Sequence, residues 1–181
     1  MRIEVDEYIR LELTNEAQIH GLFDAIDKNR EHLAAFLPWV NHMQSIDKFA
    51  AYIKQAEVLI AEGNELSFAI IANEVIVGRI GLHHINRSNR SGSIGYWLTK
   101  EAEGKGIILR SCKALISYGF GEMQLHRIEI KAAFQNLRSQ AVPKALNFTR
   151  EGVLRQAEFV NNEYLDLVVY SLLHDEFKSF K

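Results

Sequence analysis

Glu101-Ala102-Glu103-Gly104-Lys105-Gly106 lies between an apolar, strand-like run, Ile94-Gly95-Tyr96-Trp97-Leu98, and an amphipathic run that starts at Ile107. Two glycines one residue apart at the mouth of a helix let the backbone curl until several N–H groups point at one spot. A phosphate or diphosphate suits that spot. The helix dipole adds roughly half a positive charge there, and the Lys105 ammonium offers a mobile full one. Read alone, the same residues also suit a plain turn. Two well-known phosphate loops can be tested against the spacing, and both fail. A P-loop needs glycine at position 99 and Ser or Thr after the lysine, where this chain has Thr99 and Gly106. A dinucleotide fingerprint needs a third glycine at 109, where Leu109 stands.

Outward from this loop the pattern is a mixed one. Tyr8 to Leu13 alternates as a strand, and Thr14-Asn15-Glu16 starts a helical stretch that breaks around Lys28-Asn29-Arg30, giving two short helices before Pro38-Trp39. The aromatic end at Phe36, Pro38 and Trp39 reads as core packing or as the lining of a substrate groove. Ser45 caps a further helix, Ile46 to Glu62. Leu66 to Ala72, Val75 to Ile85 and Ser93 to Leu98 then form an antiparallel meander. The helix after the glycine loop buries Ile108, Cys112, Leu115, Ile116 and Gly119, with Arg110, Lys113 and Ser117 on its other side. Ile128 to Ala132 follows as a strand parallel to the one before that helix, completing a β-α-β unit.

Asn136 stands at the N-cap of one more helix. Pro143 removes the N–H that would bond back to Ser139, so this helix is expected to be short or kinked and the Ser139 carbonyl to need another partner. Asn147 ends it in the left-handed region. Gly152 to Phe159 and Leu165 to Leu173 close the chain as a hairpin across Asn161-Asn162-Glu163. The fold class is therefore α+β with a mixed, mostly antiparallel sheet, organised as one domain over residues 1–181.

Composition narrows the function. The chain has 181 residues, 48% of them hydrophobic, a net charge of −2 and a single cysteine. Its Lys and Arg residues are dispersed, which gives no electrostatic footprint for sequence-independent nucleic-acid binding. No apolar run approaches the roughly 18 residues of a membrane span, and the first residues do not form a secretory core, so a cytoplasmic protein is expected. Cys112 excludes an intramolecular disulfide and a multi-cysteine zinc site, and reads as a buried structural thiol. Adjacent strand residues His83 and His84 should point to opposite faces, one toward substrate and one onto the covered face of the sheet, and so not share a metal ion. No metal is expected.

Glu101-x-x-Gly104-x-Gly106 resembles the acyl-CoA diphosphate loop of the GCN5-related N-acetyltransferases, whose pattern is Gln or Arg, two residues, Gly, any residue, then Gly or Ala. The first position departs from that pattern, and Leu109 stands where relatives often carry a hydroxyl, so binding should lean on backbone N–H groups. Asn136-x-x-Ser139 followed by Phe148 looks like the second cofactor segment of the family, and Arg155-Gln156-Ala157-Glu158-Phe159 resembles the corresponding strand of the branch that includes RimJ and RimL. The order of elements matches from about Tyr8 to about His174. The resemblance implies acetyl-CoA as cosubstrate, held by Glu103, Gly104, Lys105, Gly106, Ile107 and Ile108 at the diphosphate, by Trp97 and Leu98 along the pantetheine arm, and by Asn136 from the other side. An N–H near Leu98 is the candidate oxyanion donor. Asn136 reads equally as a plain helix cap.

The same resemblance assigns Glu158 as general base, through a water, and Ser139 as general acid toward the CoA thiolate. Glu158 interrupts a strand-like run, where partial burial would raise its pKa toward a useful range; it reads otherwise as a solvated strand residue, and Ser139 as a capping or packing residue. The implied acceptor is a primary amine, foremost the α-amino group of a protein or peptide, including a ribosomal protein. A small amine such as a polyamine or antibiotic, or a non-catalytic acyl-CoA sensor, are the other readings. Open sheet edges and the terminal hairpin permit a homo-oligomer.

Overall fold

The computed structural model describes residues 1–177 of the 181. Eight strands form one sheet: β1 (Arg2–Glu4), β2 (Ile9–Leu13), β3 (Leu66–Ala72), β4 (Val75–Asn86), β5 (Ser91–Leu98), β6 (Arg127–Ala133), β7 (Thr149–Val160) and β8 (Glu163–Leu173). Their order is β1-β2-β3-β4-β5-β6-β8-β7. Every neighbouring pair is antiparallel except β5 and β6, which run parallel. The short β1 has no counterpart in the sequence reading. Its three residues, RIE, are too few to show an alternation.

The helices are α1 (Ile19–Asp27), α2 (Arg30–Ala34), α3 (Ile46–Ala61), α4 (Ile107–Gly121) and α5 (Leu137–Ala145). The break expected around Lys28-Asn29-Arg30 separates α1 from α2. Asn29 there is buried; its Nδ2 donates to Ala25 O at 2.9 Å and its Oδ1 accepts from Lys100 N at 2.9 Å. One side chain thus ends a helix and ties it to the entrance of the glycine loop. Ser45 Oγ accepts from Lys48 N at 3.3 Å, the expected cap of α3. Turns at Asn73-Glu74 and Asn161-Asn162 place both central residues at positive φ, the geometry that matches the twist of tight hairpins.

Two cores sandwich the sheet. On one face Cys112, Leu115, Ile116 and Phe120 of α4 pack with Leu11, Phe68, Ile80, Leu82, Ile128 and Tyr170, and Val142 of α5 and its C-cap Leu146 join them. On the other, Leu22, Ile26, Phe49 and Ile53 of α1 and α3 pack on Ala69 and Trp97. Cys112 is fully buried among apolar groups, which pushes its thiol up in pKa; it is a structural residue, as the helix pattern indicated. No helix among the described residues is long and apolar enough to cross a membrane.

Candidate active site

The parallel pairing of β5 with β6 stops at Ile94↔Ile130, although β5 continues to Leu98 beside β4 and β6 continues to Ala133 beside β8. The two strands part there, and among the described residues the backbone of Gly95 to Leu98 has no partner strand on its β6 side. Such a splay supplies unpaired N–H and C=O groups in a covered cleft, where a ligand's amides can take them. The cleft at this point has a volume of ≈ 1660 Å³. Ordinary small-ligand sites measure roughly 300 to 1,000 Å³, so this one has room for a long cofactor and an acceptor together.

The glycine loop closes one end. Gly104 has φ +73° and Gly106, the N-cap of α4, has φ +69°, both in the region that favours glycine. A Cβ at either position would meet nothing within 4 Å, so the space in front of these two residues is open. Gly104, Gly106, Ile107 and Ile108 line the cleft, as does Glu103. Lys105 does not. Its side chain is exposed and outside the lining, between two glycines of positive φ.

Sequence reasoning missed the residue that holds this loop. Arg110 donates from Nη2 to Lys105 O at 3.1 Å and from Nε to Gly106 O at 3.4 Å, while its Nη1 pairs with Asp6. Binding the carbonyls from behind leaves the loop N–H groups for the cleft. Only the presence of an arginine four residues after Gly106 hinted at this; the partner Asp6 is far away in sequence. Glu103 is held by two partners: His32 Nε2 lies 3.0 Å from its Oε1, and the Arg138 guanidinium of α5 bonds its Oε2. A carboxylate next to a diphosphate cradle is thereby kept occupied.

Trp97 and Leu98 line the cleft by backbone while their side chains enter different cores: Trp97, 8% exposed, packs on Trp39, and Leu98 faces α4. The aromatic end of α2 divides in the same way. Trp39 is core, whereas Phe36 lines the cleft beside Ala133, Val160 and Leu165.

On the opposite wall, Asn136 Oδ1 accepts from Ser139 N at 3.0 Å, a helix cap in geometry. Its Nδ2 has no partner among the described residues and remains available to a ligand. Ser139 Oγ reaches the Tyr96 hydroxyl at 3.2 Å, and that hydroxyl donates to Ser139 O at 2.9 Å. Tyr96 is the partner that the Pro143 argument demanded. Burial pushes the Tyr96 phenol well up, so it stays protonated. Glu158 enters from β7. Leu154 pairs with Leu167 and Glu158 with Leu165, so residues 155–157 oppose only Asp166, and this bulge bends the strand at the cleft. Gln156 lies at φ 51° with its N–H on Asp166 Oδ1 at 2.8 Å, which fixes the bulge. Burial raises the Glu158 carboxyl, and no hydrogen-bond or ion-pair partner among the described residues opposes it.

The histidines depart from expectation. His84 adopts φ 52°, and β4 loses register with β5 between His83 and Asn86, so strict alternation fails. Both side chains line the cleft and neither is on a covered face.

A parallel strand pair split beside a glycine-rich helix start, with a half-buried carboxylate and a serine on the far wall, defines an acyltransferase of the acyl-CoA type. The chain belongs to the acetyltransferase (GNAT) domain family, whose profile matches residues 9–149. It is 35% identical over 179 residues to YdaF of Bacillus subtilis (strain 168), covering 98% of each chain. It is 31% identical over 173 residues to the ribosomal-protein-serine acetyltransferase of Escherichia coli (strain K12), covering 96% of this chain and 97% of that one. Among solved structures, RimL, a ribosomal L7/L12 α-N-protein acetyltransferase in complex with coenzyme A, superposes with a TM-score of 0.94 at 26% identity, covering 98% of this chain and 100% of RimL.

Proposed function

We propose that this protein transfers the acetyl group of acetyl-CoA to the α-amino group of a protein N-terminus, with a ribosomal protein as the leading substrate. The reading rests most on one observation: Glu158, its carboxyl raised in pKa by burial and without a partner among the described residues, shares a single cleft with the open Gly104–Gly106 cradle. The similarity to RimL and to the ribosomal-protein-serine acetyltransferase supports the cosubstrate and the acceptor class.

In this account the loop N–H groups bind the diphosphate, and the splayed β5 backbone with Asn136 holds the pantetheine arm. The thioester carbonyl lies near Leu98, whose N–H region stabilises the oxyanion. Glu158 takes a proton from the attacking amine through a water, and Ser139 gives one to the departing thiolate. An α-amine suits weak bases. Its reference pKa is near 8, against about 10.4 for lysine, so deprotonation is easier by roughly 2.5 units, or about 3.4 kcal/mol.

Intact-mass acetylation with acetyl-CoA tests the acceptor directly, using one peptide with a free terminus and no lysine and another with a blocked terminus and one lysine. Faster modification of the first is expected. Faster modification of the second would overturn the α-amine assignment.

A further inference from the structure

Acetylating an amine that arrives as R–NH3+ removes two protons from nitrogen. The thiolate takes one, and the other leaves as H+ in every turnover. Glu158 and Ser139 carry one proton from nitrogen to sulfur as the new bond forms, which leaves the first proton of the ammonium to a second acceptor or to solvent.

His83 in β4 has the build for it. Gly81 and Gly95 pair directly across β4 and β5. A methyl on Gly81 would come within 3.0 Å of His83 Nε2, and one on Gly95 within 3.3 Å of its Cδ2. The imidazole therefore lies over a floor made by two opposed glycines, in space that side chains there would occupy. Its Nδ1 is 3.3 Å from Glu65 Oε2. The other Glu65 oxygen is 3.2 Å from Arg79 Nη2, and that buried guanidinium also donates to Ser67 Oγ at 2.6 Å and to the Tyr52 hydroxyl. Burial alone would raise the Glu65 carboxyl, but His83, Ser67 and Arg79 outweigh it and hold the carboxyl below its usual value.

An ionised carboxylate at Nδ1 keeps the ring hydrogen on that nitrogen and leaves a lone pair on Nε2. Nε2 has no partner among the described residues. The ring lines both the large cleft and an adjoining pocket of ≈ 440 Å³ bordered by Asn64, His84 and Asn86. The charged and titratable groups around it are Glu65 and Arg79 behind, His84 beside it, and Lys131 of β6 and Glu158 of β7 on the walls of the shared cleft; β5 contributes Ser93 and Gly95.

We propose that His83 Nε2 takes the first proton from the incoming ammonium and hands it to water in the smaller pocket. The N–H bond breaks, its electron pair stays on nitrogen as the nucleophile, and Glu65 stabilises the imidazolium until water removes the proton. The inference rests on the proposed amine acetylation.

The test measures kcat/KM for the acceptor from pH 6 to pH 9.5 in wild type, His83→Gln and Glu65→Gln. It uses whichever of three amines the wild type modifies: the free-terminus peptide, the blocked lysine peptide or spermidine. For an α-amine, His83→Gln is expected to lower the value roughly 10²-fold at pH 6.5 with KM for acetyl-CoA unchanged, the deficit closing above about pH 9 where the amine arrives neutral. Glu65→Gln should shift it the same way by less. A lysine or spermidine preference overturns the α-amine assignment alone, and the deficit then closes only near the higher pKa of that amine. Wild-type rates in His83→Gln at pH 6.5, or a deficit equal at every pH, overturn the role of His83. Long-range 15N–1H spectra need no acceptor: the hydrogen is expected on Nδ1, and a resting Nε2–H tautomer also overturns it.

Discussion

The Tyr96 hydroxyl donates to the Ser139 carbonyl at 2.9 Å and accepts from Ser139 Oγ at 3.2 Å, so one phenol on β5 holds both ends of a residue in the first turn of α5. Pro143, inside α5, leaves that carbonyl without its helical donor. A proline that would otherwise weaken the helix thus couples it to the strand that borders the cofactor cleft.

Tyr96→Phe removes the donor and keeps the ring. A buried acceptor left unpaired costs about 1–3 kcal/mol, so the urea unfolding midpoint should fall accordingly. Turnover should fall further than acetyl-CoA affinity, because Ser139 loses its alignment rather than the cradle its shape. Unchanged unfolding and unchanged kcat would show that the phenol does not organise α5.

Gly104→Val should abolish CoA binding measured by titration calorimetry, with the circular dichroism spectrum retained. The new side chain meets no protein atom; it fills the open space an anion would use, and a β-branched residue resists φ +73°. Wild-type affinity in this variant would move the diphosphate elsewhere.

Arg110→Met tests the clamp behind the loop. Its pair with Asp6 is part-exposed and contributes little to stability, so the melting temperature should hardly change. Freed loop carbonyls should instead weaken CoA binding by roughly tenfold, about 1.4 kcal/mol. A variant that loses stability but keeps CoA affinity would make Arg110 a structural residue only.

Most of the elements are legible in the sequence because each carries a local signal: Ser45 before an amphipathic run, Asn73-Glu74 and Asn161-Asn162 between alternating runs, Gly104 and Gly106 before Ile107. The need of the Ser139 carbonyl for a partner followed from Pro143 alone, but that Tyr96 would fill it did not, since the two meet only through the splay of β5. The bulge that aims Glu158 is set by Asp166 across the hairpin, a pairing the run Arg155 to Phe159 does not announce. His84 escaped for a related reason. Alternation assigns faces only while φ stays extended, and nothing in His83-His84 signals a left-handed residue.

Glu158→Gln bears on the central claim most directly, since the account makes this carboxylate the base that completes amine attack. Burial raises its pKa, so it gains basicity while remaining able to ionise as pH rises, and the glutamine cannot take a proton at any pH. Steady-state turnover of the preferred acceptor should be measured at pH 7 and pH 9, with acetyl-CoA affinity measured in parallel. The account predicts a loss of roughly 10² to 10⁴ in kcat at pH 7 that persists at pH 9, where the amine arrives neutral but still has a proton to lose as it attacks, and nearly unchanged acetyl-CoA affinity. Near wild-type turnover of Glu158→Gln at pH 7 would contradict it.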